Sequence, residues 1–260
     1  MRIFRTNFPV FLVSLFLIAG NLNGQRATIL NTPEYDMAMF HFGFVLGANQ
    51  SFMTIKPIND LHTHHFDSTY IPDILPMPDS AKVLSYSSTP SIGFVISIVA
   101  NMRVGDYCDL RFSPSLSFGD RTMLITAQTY RGKDTLTLNL TKKIPSTYIN
   151  FPLEFRYKAD RYNNFRPYMM VGAQYTLDLA SQAKKREQHN ADQKIVKFNS
   201  SDIYLEAGVG FDFYNEWFKF GVELKMMYGL FDILKREHNI YTDGIQSMKS
   251  RIFQVSFTFE

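Results

Sequence analysis

Residues Glu206–Leu230 read EAGVGFDFYNEWFKFGVELKMMYGL. Val209, Phe211 and Phe213 alternate with Gly208, Gly210 and Asp212. After Asn215 and Glu216 the pattern resumes: Phe218, Phe220, Val222, Leu224, Met226 and Tyr228 alternate with Lys219, Gly221, Glu223, Lys225 and Gly229. A period of two belongs to a β-strand whose two faces meet different surroundings. Two such runs joined by two residues form a hairpin.

The same alternation recurs along the chain. The segments are 39–52, 91–103, 107–119, 146–158, 165–179, 202–214, 217–231 and 251–260. In the first, Phe40, Phe42, Phe44, Leu46 and Ala48 share one face. In the last, Phe253, Val255, Phe257 and Phe259 do. The gaps take turns in length. Long gaps at 53–90, 120–145, 180–201 and 232–250 are separated by short ones at 104–106, 159–164 and 215–216. Strict alternation puts every long loop at one end and every tight turn at the other. The expected fold is therefore all-β: an eight-stranded antiparallel up-and-down transmembrane β-barrel with long extracellular loops and short periplasmic turns.

Composition agrees. The chain has 260 residues, of which 45% are hydrophobic and 20% charged; this is too apolar for disorder and too polar for a helical membrane bundle. Aromatics reach 15%, with 24 Phe and 14 Tyr, as half-buried strands favour. A net charge of +3 gives no reason to expect nucleic acid as a partner. The single Cys108 excludes an internal disulfide framework and a multi-cysteine metal site.

A soluble barrel would turn the apolar face inward, but an eight-stranded interior barely holds its own side chains and has no room for that many Phe, Ile, Leu and Met. Eight of the glycines fall on the polar face, where crowding is worst. That face also carries Asp109, Arg111, Glu154, Arg156, Asp178, Glu206, Asp212, Lys219, Glu223 and Lys225. A basic side chain at the lipid midplane costs about 2–4 kcal/mol. These ten residues are therefore expected inside, as a structural network of paired charges, with a proton or ion path as the sharper reading. Aromatics near strand ends are expected at the membrane interfaces: Tyr107, Tyr157, Phe165, Tyr168, Tyr214 and Trp217 on the turn side, and Phe52, Phe118 and Phe231 on the loop side.

The N-terminus has the form of an export signal. Arg2 and Arg5 precede the apolar run 8–19, which is short for a membrane helix. The expected division is a signal peptide at 1–24, a short periplasmic segment at 25–38 and the barrel at 39–260. The final strand ends Phe259-Glu260, an amphipathic terminus suited to the barrel-assembly machinery.

The loops offer little chemistry. Asp60, His62, His64, His65 and Asp67 cluster in the first; the choices are a Zn²⁺ or Cu²⁺ site and an exposed polar loop. Pro72, Pro76 and Pro78 disfavour regular structure there. In the second, the runs 123–130 and 135–144 flank Arg131-Gly132-Lys133-Asp134 and read as a hairpin extending the neighbouring strands. The third holds Lys184-Lys185-Arg186-Glu187, read as a solvated charge run. No phosphate loop, nucleophile elbow or zinc-protease motif is present. Ser68 near His65 has no spacing that supports a lipid-acting enzyme. No catalytic residue, metal, cofactor or small-molecule substrate is expected; outer-membrane lipid is.

The stretches FHFGFVLGANQSF, DLRFSPSLSFGDR, INFPLEFRYKADRYNNFRPYMMVGAQYTLDLA, EAGVGFDFYNEWFKFGVELKMMYGL and VSFTFE resemble the PorT family of Bacteroidetes outer-membrane proteins. The resemblance implies a barrel in the outer membrane, a part in type IX protein secretion and partners among the secretion-machinery proteins. It carries over no active-site residue. The bore of such a barrel is too narrow for a folded protein, so scaffolding is the expected role. A general surface barrel for adhesion or defence is the alternative.

Overall fold

The computed structural model describes residues 30–67, 78–179, 197–236 and 239–260. The expected signal segment, Ser68 and the charge run at 184–187 lie outside the described residues. Thirteen strands occur among the described residues. In chain order they are β1 (Phe40–Pro57), β2 (His65–Asp67), β3 (Ser80–Thr89), β4 (Ser91–Arg103), β5 (Cys108–Phe112), β6 (Ser115–Arg131) and β7 (Asp134–Lys158). They continue with β8 (Phe165–Asp178), β9 (Lys197–Phe198), β10 (Ser201–Tyr214), β11 (Lys219–Gly229), β12 (Leu234–Lys235) and β13 (Ile245–Phe259).

The ring closes because β1 pairs on one side with β4, at Phe44↔Ile98, and on the other with β13, at Phe44↔Phe259. From β4 the antiparallel order runs through β5 and β6, then β7, β8, β10, β11 and β13. Since β5 and β6 together make one stave, the barrel has eight. Closure leaves no unpaired strand edge in the lipid.

The outward residues are those that alternation assigned. Phe42, Ile98, Leu153, Val171, Leu205, Leu224 and Phe253 are all exposed from the wall. Stacked rings run across neighbouring staves, as at Phe44–Phe259 (4.8 Å) and Phe94–Phe118 (4.7 Å). Such cross-strand pairs add to wall stability.

Two features differ from the strand reading. The third segment is split, because Pro114 has no N–H to give to the ladder. Ser97 compensates, its hydroxyl lying 2.9 Å from the carbonyl oxygens of both Ser113 and Pro114. The first long gap is not free of regular structure. β3 lies there, pairing with β6 from Ser80↔Tyr130 to Thr89↔Thr122. Pro90 separates it from β4, and the other prolines all precede it. The hairpin expected in the second loop is present: β6 and β7 run unbroken from the membrane to its tip, Arg131↔Asp134, where Gly132 takes a left-handed φ of 58°.

Above the membrane the chemistry of the two faces exchanges while side-chain parity continues. On β6, Ser117 and Arg121 point inward, and on the same face Met123, Ile125 and Ala127 follow, also buried. On β13, Thr258, Ser256, Gln254 and Ser250 give way on the same face to Met248, and past a register irregularity opposite Lys56/Pro57 Ile245 is buried as well. These upper residues meet Met53, Ala81, Val83 and Ile144, together with Leu61, Phe66, Phe198, Ile233, Leu234, Ile240 and Tyr241, in a continuous apolar cluster. A small hydrophobic core thus caps the loop end. Tyr86 enters it, donating to the carbonyl oxygen of Ile240 at 2.7 Å. Burial, with Asp243 nearby, pushes the Tyr86 hydroxyl above its ordinary pKa.

Candidate functional site in the barrel lumen

Alternation delivers one inward side chain every second residue from each stave, so the inner faces of eight staves converge on a narrow core. Asp109, Arg111, Glu154, Arg156, Asp178, Glu206, Asp212, Lys219, Glu223 and Lys225 are all buried there. Arg111 lies near the centre. Its Nη1 donates to Glu223 Oε1 at 2.7 Å, its Nη2 to Glu260 Oε1, and its Nε reaches Asn101 Oδ1 at 3.5 Å. Lys219 Nζ links Glu260 (2.8 Å) and Asp212 (3.5 Å), and Arg156 meets Asp212 at 3.5 Å. Lys225 pairs with Glu154 and lies 3.3 Å from Glu223. Asp109 receives Lys158 at 2.6 Å and Asn101 at 3.1 Å.

Asp178 sits apart from this network, at the loop end, in a small space lined also by Arg121, Tyr148, Asp202 and Tyr204. Arg121 there donates to Tyr204 Oη at 3.1 Å and Ser250 Oγ at 3.2 Å, and lies 4.8 Å from the Tyr148 ring centroid. Glu206 is inside, yet neither of its carboxylate oxygens has a hydrogen-bond partner among the described residues.

Two tyrosines expected at the interface belong to the interior. Tyr168 is buried, with Arg156 Cζ 3.6 Å from its ring centroid and its hydroxyl donating to Glu223 at 2.7 Å. Its ring covers Gly210, where a Cβ would come within 2.2 Å of Tyr168 Cζ. Tyr214 is buried beside Arg161, 3.7 Å from its ring centroid. Parity gives the reason: 168 and 214 are even, like Arg166 and Asp212, and so share the lumen face. Tyr107, Tyr157 and Trp217 are exposed on the outside. The same parity marks Lys158 and Glu260 as lumenal, two members of the network that a search for charges in strand centres passes over.

The segment expected as periplasmic enters the turn end. Pro33–Met37 forms a short 3₁₀ turn. Tyr35 stacks on His41 (3.9 Å) and donates to Glu260 Oε2 at 2.6 Å. Asp36 receives Arg166 (2.8 Å), Arg161 (3.3 Å) and the Tyr214 hydroxyl (3.1 Å), and Arg103 donates to its carbonyl. Polar side chains thus fill the bore, a tyrosine–aspartate plug stoppers the turn end, and the apolar core covers the loop end.

In the first loop, His64 packs edge-on to Phe66 at 4.7 Å and His65 lies 5.9 Å from Tyr130. Among the described residues no group of three or more His, Cys, Asp and Glu is placed to hold a metal ion.

A closed ring of eight staves with a lipid-facing apolar wall and a charged interior is the architecture of an outer-membrane barrel. A family model described as an outer membrane protein beta-barrel domain matches residues 24–235. The chain belongs to that family. Members of the outer membrane protein beta-barrel domain family lie in the outer membrane, and so does this protein. The ring-closing β13 falls beyond the matched span. Among solved structures, the outer membrane protein OprG from Pseudomonas aeruginosa is similar at 15% identity, covering 84% of this chain and 92% of OprG with a TM-score of 0.28. No curated protein sequence matches the chain.

Proposed function

We propose that this protein is a non-conducting scaffold in the outer membrane that serves type IX protein secretion by holding other components of the machinery. The observation that carries the reading is the filled bore. Arg111, Glu223, Glu260 and Lys219 cross-link the interior, while the Tyr35–Asp36 plug and the apolar cap occupy its ends. A barrel so filled offers no route for a protein or a solute and works through its surfaces. The secretion assignment is supported by the resemblance of the quoted stretches to the PorT family, which fall on β1, β5–β8, β10, β11 and β13.

The docking surface is the β6–β7 hairpin. From Asp134 to Thr147, β7 pairs with β6 on one side, and among the described residues no strand pairs with its other edge. Exposed edges of this kind accept an added strand. Lys143 and Pro145 lie at the base of this edge, and among the described residues no strand pairs with it along Thr135–Thr141.

Deleting the gene is expected to abolish release of type IX substrates, and a copy lacking residues 128–138 is expected to insert normally but restore secretion poorly. Normal secretion in the deletion strain, with altered surface binding, would instead favour the adhesion or defence reading. In planar bilayers the purified protein should show no steady conductance; stable open channels would remove the scaffold argument.

A further inference from the structure

Glu154, Gly172 and Glu206 stand in one row across three adjacent staves, Glu154↔Gly172 on β7–β8 and Gly172↔Glu206 on β8–β10. The two carboxylates therefore flank a position with no side chain. Space over Gly172 is already used: a Cβ there would come within 2.8 Å of Glu206 Oε1. Lys225, the neighbouring base, bonds Glu154 Oε1 and lies 3.3 Å from Glu223. Glu154 Oε2 and both carboxylate oxygens of Glu206 are buried with no hydrogen-bond donor, and Glu223 Oε2 has only the Lys225 ammonium at 3.3 Å. Glu206 as a whole is 5% exposed.

Glu154 and Glu206 border a cavity of about 20 Å³. That exceeds the roughly 10–15 Å³ that one water requires. Gln174 and Gln254 also line it, and each directs an amide N–H to a neighbour in its own strand, Thr176 and Ser256. Their side-chain carbonyl oxygens are left as neutral oxygen ligands for the cavity, which Ser113 also lines. An uncompensated carboxylate in such surroundings is strongly unfavourable. A hard cation with oxygen ligands relieves it. A divalent ion is opposed by the adjacent ammonium of Lys225, whereas a single positive charge matches Glu206, the carboxylate at this cavity that forms no salt bridge or hydrogen bond among the described residues.

We propose that the lumen holds one monovalent metal cation, sodium or potassium, bound by Glu206 and the second carboxylate oxygen of Glu154. The site is built from two carboxylates and neutral oxygens and not from three clustered His, Cys, Asp or Glu side chains. It does not depend on the secretion reading, since it concerns the interior of the barrel and no partner surface.

The test uses the full mature chain in detergent micelles, kept at constant ionic strength in choline chloride and titrated with NaCl or KCl. After desalting into choline, the wild type is expected to retain one equivalent of sodium or potassium by emission spectroscopy, and its melting temperature is expected to rise with cation concentration. Glu206→Gln should retain none and melt at the same temperature in choline, sodium and potassium. Equal behaviour of the wild type in all three salts would overturn the proposal. So would a melting temperature that depends on pH and not on the cation, because the carboxylates would then hold a proton. Should Glu206→Gln fail to fold, thallium(I) soaked into wild-type crystals decides. An anomalous peak between Glu154 and Glu206 supports the site; peaks only elsewhere mean an adventitious ion only, and these or no peak overturn the proposal.

Discussion

The lower and upper halves of this molecule are built from the same strands and have opposite interiors. In the membrane, β6 turns Ser117 and Arg121 inward; a few residues later the same face presents Met123, Ile125 and Ala127. The surroundings outside each half explain the exchange. Lipid takes the apolar side chains of the wall, leaving the polar ones to satisfy one another in the bore. Above the headgroups water surrounds the sheet, and the hydrophobic effect reasserts the usual order, apolar inside. Asp120 on β6 and Arg251 on β13 are outward-facing charges at the changeover and mark the edge of the hydrocarbon.

The contrast can be broken in each half. The largest effect is expected from Arg111→Met, which removes the guanidinium that bridges Glu223 and Glu260 in the bore. Removing one partner of a buried pair costs about 3–5 kcal/mol. Urea unfolding in lipid vesicles measures it, and a loss below about 1 kcal/mol would mean that the network is not a unit. In the cap, Ile125→Ala opens a cavity worth about 2–5 kcal/mol, but to the cap alone. Trypsin should then cut the hairpin near Arg131 and Lys133 much faster, while the heat-modifiable shift of the barrel on a gel is unchanged. If both transitions moved together, the two halves would be one cooperative structure.

Val171→Arg places a base at mid-wall, where it faces lipid, and should cost about 2–4 kcal/mol. Tolerance of that change would put the bilayer elsewhere along the strands. The smallest effect is expected at Trp217, fully outside the network and in a tight turn. Replacing it with Phe should alter stability by no more than about 0.5 kcal/mol. As the lone tryptophan it reports depth. Lipids brominated near the headgroup should quench it more strongly than lipids brominated deep in the chain, and the reverse order would displace the turn end from the interface.

Much of this was legible because the lipid imposes a simple rule. Ser91–Arg103 has the same bounds in the structure as in the alternation, and the wall residues follow parity throughout. What escaped has identifiable causes. β3 follows a cluster of prolines, and its alternation slips at the irregularity between Val83 and Ser85. Tyr168 and Tyr214 look like interfacial aromatics by type, and their parity outweighs that resemblance. The ten lumen charges could be assigned to a face but not to partners. Lys219, for example, reaches Glu260, forty-one positions along the chain, across a barrel-mouth geometry that no local pattern encodes.

Periodicity thus dictated strand, face and membrane, because each depends on whether neighbouring side chains meet oil or water, and that is written two residues at a time. Closure placed Arg111 between Glu223 and Glu260, drew Tyr35 and Asp36 into the bore, and gathered four loops into an apolar lid. Those contacts join residues far apart in the chain, and their energies exist only once the ring has set the distances.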